Sequence, residues 1–162
     1  MVPVLPTSLI LGKEQRVQVE QHVSALTAAL AMTPEDDMRH AELTMTTVTK
    51  MTLVLPSKEV GDLAGEARGE AFMAALDDVP SWAVQEAMRK WHRAEYGPKH
   101  DYKWQPAPAT LRQLAMHEVY LVMGTRRKLN NILVAEPLRE FTAEEEAAMR
   151  EKLGSYLKLR AM

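Results

Sequence analysis

The stretch KWQPAPATLRQLA, residues 103–115, interrupts a chain that otherwise consists mainly of helix-forming residues. Pro106 and Pro108 restrict the backbone just before Leu111 continues an apolar pattern at helical spacing. The prolines therefore fix the angle at which the following helix enters the fold, and Trp104 can pack back over the helix ends. We expect this segment to clamp the two helices that flank it, which is a fold-defining role.

The helix before this segment is predicted from an apolar stripe that begins at Trp82. Ser81 can cap its first turn, and residues 96–98 (Tyr-Gly-Pro) are expected to stop it. The helix after it is predicted over about 110–121 or further, and it either continues through Gly124 or breaks there. The side chains expected in the core are Trp82, Val84, Met88, Trp91, Trp104, Leu111 and Leu114.

Three more helices are predicted upstream, over about 9–32, 34–54 and 58–76, each with apolar residues at three- and four-residue steps. Thr33 is expected to cap the second helix, and Ser57 is expected to cap the third. The third helix also carries three glycines at four-residue spacing. Because each costs about 1 kcal/mol relative to alanine, their common side predicts a flat face for close helix packing. These glycines are Gly61, Gly65 and Gly69.

The end of the chain predicts a separate helix that is capped by its own sequence. Thr142 is followed three residues later by Glu145, which is the spacing of a capping box. Residues 125–131 (TRRKLNN) are interpreted as a semi-mobile hinge before this helix. The apolar stripe of the C-terminal helix is predicted as the partner-binding surface, and it consists of Met149, Leu153, Tyr156 and Leu157.

The composition favours helices over strands. Apolar residues make up 46% of the 162 residues and charged residues 26%, whereas aromatic residues make up 6%. We expect an all-α fold, a small bundle of five or six helices with an amphipathic C-terminal helix. The expected organisation is an N-terminal arm and helix over 1–32, with irregular backbone over 1–8, a helical core domain over 33–135 and a C-terminal helical extension over 136–162.

Charge is distributed unevenly along the chain. Residues 33–78 contain ten acids against four bases, and residues 79–135 contain nine bases against four acids. This layout indicates either charge pairing within the protein or a basic face for an acidic partner, while charges that simply solvate their helices are the third interpretation.

The residue patterns that support catalysis or metal binding are missing from the sequence. There is no cysteine, and none of the five histidines lies three or four residues from another. No glycine-rich phosphate loop and no nucleophile-elbow pattern occurs. We therefore expect no enzyme activity, no metal and no cofactor. No apolar run approaches about 18 residues, so we expect no membrane span, and we expect location in a bacterial cytoplasm.

A basic and aromatic strip predicts a weak nucleic-acid contact as an alternative function. Basic side chains neutralise phosphates and aromatic rings stack on bases, but the sequence pI of about 6.2 is low for such a module. The candidate residues are Arg89, Lys90, Arg93, Lys99 and Lys103.

The order of features from residue 53 to 115 resembles the phage replicative-helicase loader and inhibitor family. A helix ends in LVLPS (53–57), a second reaches AFMAALDDVPSWAVQEAMRKW (71–91), and PAPATLRQLA (106–115) starts the next. In that family an acidic-proline turn joins two helices, an aromatic residue ends the second, and a proline-containing segment opens the third. The matching positions are Asp78, Pro80, Trp91, Pro106, Pro108, Leu111 and Arg112; Thr110 departs from the pattern, since an acid is common there.

The resemblance implies a small helical adaptor that binds a hexameric replicative helicase and either loads or inhibits it. The other functions weighed are a nucleic-acid-binding regulator that uses the basic strip and an anti-defence or host-takeover inhibitor of a large host complex. The sequence does not select between loading and inhibition, and it leaves the oligomeric state open.

Overall fold

The computed structural model describes residues 2–57, 64–138 and 141–160, without the side chains of 64–66 and 154–160. These ranges contain six α-helices and two strands of two residues each, so the expected all-α bundle is confirmed. The helices are α1 (Lys13–Leu30), α2 (Met38–Val54), α3 (Ala64–Leu76), α4 (Ser81–His92), α5 (Pro108–Leu133) and α6 (Ala143–Arg160). The strands are β1 (Val4–Leu5) and β2 (Glu136–Pro137).

The strands form a small parallel sheet in which Val4 lies opposite Glu136 and Leu5 opposite Pro137. The amide of Glu136 donates to the carbonyl of Pro3 at 3.0 Å. The prediction that residues 1–8 are irregular is therefore wrong for β1. Its pairing partner lies near the other end of the chain, where no local pattern signals it.

The core lies between α2, α3, α4 and α5, and α4 packs against both α2 and α5. Trp91 and Leu111 are among the side chains that meet there. Two of the expected core tryptophans lie elsewhere: Trp82 is half-buried at the edge of the core, and Trp104 is half-buried beside a surface cleft. The buried apolar set is Val48, Met51, Phe72, Leu76, Val79, Ala83, Val84, Ala87, Met88, Trp91, Leu111, Leu114, Ala115 and Val119.

Helix C-termini are tied to other elements by side-chain donors, which satisfy carbonyls that a helix end leaves unpaired. The donor and acceptor pairs are Trp82 Nε1 to Ala29 O at 2.8 Å, Gln105 Nε2 to Leu55 O at 3.1 Å, Arg112 Nη1 to Ala75 O at 2.8 Å, and Arg16 Nη1 to Leu133 O at 2.7 Å. These bonds connect the ends of α1, α2, α3 and α5 to distant parts of the chain.

Several predicted helix starts differ from the structure. Asp37, not Thr33, caps α2, and its carboxylate accepts from the amide of Arg39 at 2.8 Å. Thr33 instead donates to Asp36 at 2.8 Å, which closes a turn before the helix. The first helix begins at Lys13 and not near residue 9, because residues 7–9 form a separate 3₁₀ turn.

Ser81 does not cap α4. Pro80 occupies the N-cap position, and the buried Ser81 hydroxyl contacts Nδ1 of His40 on α2. The hydroxyl therefore joins two helices and leaves the first turn of α4 without a side-chain cap. This contact depends on the packing of α2 against α4, so the local sequence could not indicate it.

The end of α4 is also earlier than predicted, at His92. The amide of Glu95 donates to the carbonyl of Lys90 at 3.0 Å, and the amide of Ala94 donates to that of Trp91 at 3.0 Å. This bond pair is a Schellman motif, which needs a left-handed residue, and Ala94 supplies it with φ of 56°. Glycine usually fills that position, so the sequence pointed to Gly97 instead.

Helix α5 is much longer than its predicted minimum, and it runs through Gly124 without a break. Pro108 occupies its first turn, where a missing amide hydrogen has no cost. Residues 125–131 lie inside this helix, so their interpretation as a hinge is wrong.

Helix α3 is described from Ala64 onward. Residues 58–63 lie outside the described residues, including the predicted helix start after Ser57 and Gly61. At Gly69 an added Cβ would meet no atom within 4 Å, so the close packing predicted for the glycine face is not found at this position. The side chains around Gly65 are not described.

Candidate functional site

Helix α6 begins with the predicted capping box. The amide of Thr142 donates to Glu145 Oε2 at 3.1 Å, and the amide of Glu145 donates to Thr142 Oγ1 at 3.3 Å. Three glutamates, at 144–146, lie in the first turn and complement the helix dipole. The start of α6 is therefore stabilised by its own residues.

The described side chains of α6, over 143–153, are exposed except for the half-buried Glu145. Met149 is 43% exposed and Leu153 57% exposed. Among the described residues, the helix pairs with extensive contacts are α4 with α5, α1 with α5, α2 with α4, α3 with α5 and α2 with α3. This part of α6 thus presents apolar side chains to solvent. The side chains of Tyr156 and Leu157 lie outside the described residues.

A second exposed surface lies on α5, on the side opposite the buried residues Leu111 and Ala115. Tyr120 is 61% exposed, and Met123 is also exposed. A shallow groove of about 400 Å³ runs along this side of the helix. Its lining residues are Tyr120, Met123, Gly124, Arg126, Arg127 and Asn130.

The three residues of the predicted basic strip that lie on or just after α4 are all in ion pairs. Arg89 forms two hydrogen bonds with Glu86, at 2.7 and 2.8 Å, and lies 3.7 Å from Glu95. The hydrogen bonds from Arg89 lower the pKa of Glu86. Arg93 lies 3.3 Å from Glu95, and Lys90 pairs with a buried acid on α5. This pairing reduces the positive charge that the strip can offer to phosphates.

That buried acid, Glu118, is a structural residue that the sequence did not reveal. It is 5% exposed, accepts from Lys90 Nζ at 2.6 Å and accepts from the Tyr96 hydroxyl at 2.9 Å. Burial and the neighbouring carboxylate of Glu118 raise the pKa of Tyr96 above its usual range. Because a buried carboxylate is costly without partners, this network joins α4, its C-terminal turn and α5. The feature of the sequence that could have indicated this role is that Glu118 is an acid within an otherwise apolar stripe of α5.

The two remaining residues of the strip, Lys99 and Lys103, are exposed and form no ion pair with the part of the chain that the structure describes. Lys99 borders a cleft of about 340 Å³ between α3 and the loop that precedes α5. His100 and Trp104 also line this cleft, and His100 packs 5.4 Å from the ring of Trp91. The structure therefore separates these two lysines from the ion-paired part of the strip.

Two of the residues that carry the family resemblance join α3 to α5. Arg112 forms a bidentate ion pair with Asp78, with Nη2 and Oδ2 2.8 Å apart, and it also binds the carbonyl of Ala75. The Arg112 hydrogen bond lowers the pKa of the Asp78 carboxyl. Contacts within this chain therefore give Asp78 and Arg112 a structural role.

No protein-family model, no curated protein and no solved structure matches the chain. Within the described ranges, no three histidine, aspartate or glutamate side chains converge as metal ligands. In the same ranges, every helix is too short or too polar to cross a membrane.

Proposed function

We propose that this protein is a non-enzymatic adaptor that uses α6 to bind a larger protein, a hexameric replicative DNA helicase. The observation that carries the proposal is the exposure of Met149 and Leu153. The other described side chains of α6 are also exposed, except for the half-buried Glu145. The choice of a helicase as the partner is supported by the resemblance of residues 53–115 to the loader and inhibitor family.

The geometry of α6 suits insertion into a groove of another protein. Met149 and Leu153 are four residues apart and therefore share one side of the helix. Burying each of these side chains contributes about 1.5–3 kcal/mol. The capping box forms the first turn in advance, which reduces the ordering cost of binding.

The test is capture of a purified bacterial replicative hexameric helicase by the full-length chain. We expect Met149→Lys/Leu153→Lys to abolish capture, because two charges would enter an apolar groove. The matched control is Ala147→Lys/Ala148→Lys, which adds the same charge to exposed positions on the opposite side of α6 and should still bind.

A chain truncated after Glu140 provides a second test of whether α6 binds the helicase. We expect it to remain folded by circular dichroism and to lose capture. Unfolding on truncation would assign α6 to the core, and retained capture would move the contact elsewhere. For the full-length chain, a helicase unwinding assay separates loading, in which DNA unwinding rises, from inhibition, in which it falls.

A further inference from the structure

The outer side of α5 has an apolar and basic pattern with helical spacing. Tyr120, Gly124 and Arg127 follow one another at four and three residues, so they form one stripe on the exposed side. The groove of about 400 Å³ lies along this stripe. The surface thus offers an aromatic ring, a position without a side chain and a cation in sequence.

The exposed side of α6 has the complementary pattern with the same spacing. Glu146, Met149 and Leu153 follow at three and four residues, and all three are exposed. When two helices run antiparallel with Glu146 opposite Arg127, Met149 comes opposite Gly124 and Leu153 comes opposite Tyr120. One register therefore pairs the opposite charges and brings the apolar residues together, as in the seam of an antiparallel coiled coil.

Gly124 supports this register. A glycine inside a helix costs about 1 kcal/mol relative to alanine, and an added Cβ at Gly124 would meet no atom within 4 Å. Packing against the described part of the same chain therefore gives no reason for glycine here. A methionine from a facing helix at this position would use the space that the missing side chain leaves.

We infer that the α5 groove binds α6 of a second copy of this chain, so that two copies form a reciprocal dimer. In a single copy Tyr120 and Arg127 on α5 and Glu146, Met149 and Leu153 on α6 are exposed, and Gly124 is half-buried. In a reciprocal dimer a two-fold axis places each α6 on the α5 of the other copy, so that both surfaces are covered. The charges at Glu146 and Arg127 fix the antiparallel direction.

The dimer covers the side of α6 that the proposed function assigns to the helicase. Helicase binding then competes with self-association, and the dimer keeps the apolar side of α6 covered until a helicase is present. The inference concerns the purified chain alone, so its failure leaves the helicase proposal untouched, and a wild-type chain that fails to capture the helicase leaves the dimer inference untouched.

The experiment measures the mass of the full-length chain in solution by sedimentation equilibrium over a concentration series. We expect the mass of two chains at high concentration. Arg127→Glu places like charges opposite each other and should raise the dimer dissociation constant by about tenfold or more. The control Lys50→Glu makes the same charge change at an exposed position on α2, away from the α5 stripe, and it should keep the wild-type constant.

Three further variants test the register. Glu146→Arg alone should weaken the dimer, although it also removes a 3.4 Å ion pair with Arg150, and Arg127→Glu/Glu146→Arg should restore it. Gly124→Leu favours the helix but fills the space opposite Met149, so it should weaken the dimer without lowering the thermal stability of the monomer.

The mass of one chain at every concentration would overturn the inference, as would equal effects of Arg127→Glu and Lys50→Glu. A crosslink between cysteines placed at 124 and 149 that forms within single chains would assign the groove to α6 of the same copy and would also overturn it. Failure of the charge-swapped pair to restore the dimer would reject the register.

Discussion

The indole of Trp91 lies where the end of α4 meets the loop that leads into α5. It is 3% exposed, and its Nε1 donates to the carbonyl of Trp104 at 3.2 Å. The ring of Tyr102 packs edge-on at 4.8 Å, and Tyr102 donates in turn to the carbonyl of Gly97 at 2.7 Å. One side chain thus fills the core and also holds the loop in place.

Trp91→Ala should lower the free energy of unfolding by about 3–5 kcal/mol, because a large aromatic side chain leaves a cavity and the carbonyl of Trp104 loses its donor. Urea unfolding followed by circular dichroism measures this loss. Trp104→Ala serves as the comparison, and we expect less than half the effect since that ring is half-buried beside the cleft. Equal losses for the two variants would contradict the assignment of Trp91 to the core.

At the scale of elements, the helices are held together at their ends as well as along their buried faces. Arg112 illustrates this, because its guanidinium on α5 binds both the carbonyl of Ala75 at the end of α3 and the carboxylate of Asp78 in the following turn. A cation near a helix C-terminus also complements the negative end of its dipole. The ion pair therefore fixes the position of α3 relative to α5.

This ion pair predicts a pH dependence of stability. Arg112 lowers the pKa of Asp78, so the pair stabilises fully above the pKa of an unfolded aspartate, about 3.9, and the stabilisation is lost as pH falls toward the lowered pKa of the folded state. At about pH 7, Asp78→Asn should lower the free energy of unfolding by about 0.5–1 kcal/mol, since the pair is partly exposed.

Below about pH 3.9 the difference between wild type and Asp78→Asn should shrink. Asp77→Asn removes the same charge one residue earlier without removing the ion pair, so it should show little loss at either pH. A difference for Asp78→Asn that stays constant from neutral to acidic pH, measured by urea unfolding, would show that the carboxylate charge is not the cause.

At the scale of the whole molecule, the basic half of the sequence does not form one continuous basic face. Arg89 and Arg93 are paired with acids from α4 and the turn after it, and Lys90 is paired with Glu118 of α5. Three of the five bases of this strip are therefore balanced by acids within residues 79–135. Residues 33–78 carry ten acids against four bases, and this excess of negative charge in the same small protein repels a phosphate backbone.

We expect binding of a labelled single-stranded oligonucleotide at physiological salt to be no tighter than about 10⁻⁴ M, the weak limit of non-specific association. Fluorescence anisotropy measures it, and residual binding should fall steeply with added salt. Lys99→Glu/Lys103→Glu should weaken the remaining oligonucleotide binding more than Arg89→Glu/Arg93→Glu does. The reason is that the two lysines lack ion pairs within the described ranges. Tight binding that depends on Arg89 and Arg93 would make nucleic acid the partner.

Features that arise from neighbouring residues could be predicted from the sequence. Helical periodicity and composition predicted an all-α bundle, and the capping box of Thr142 and Glu145 predicted the start of α6. The predicted start of α5, at about residue 110, lies within two residues of its first residue, Pro108. These signals are local: the side chain, the amide it bonds and the backbone angle it restricts lie within one helical turn.

Features whose cause lies far away in the chain depend on the tertiary packing. The Ser81 hydroxyl contacts His40 on α2 instead of capping its own helix. Glu118 became a buried acid because Lys90 and Tyr96 reach it from another helix and its terminal turn. Free energies of such contacts depend on which surfaces meet, and the local pattern of a chain does not encode that. Whether a helical stripe is buried, as in α4, or left exposed, as in the described part of α6, was settled by packing in the same way.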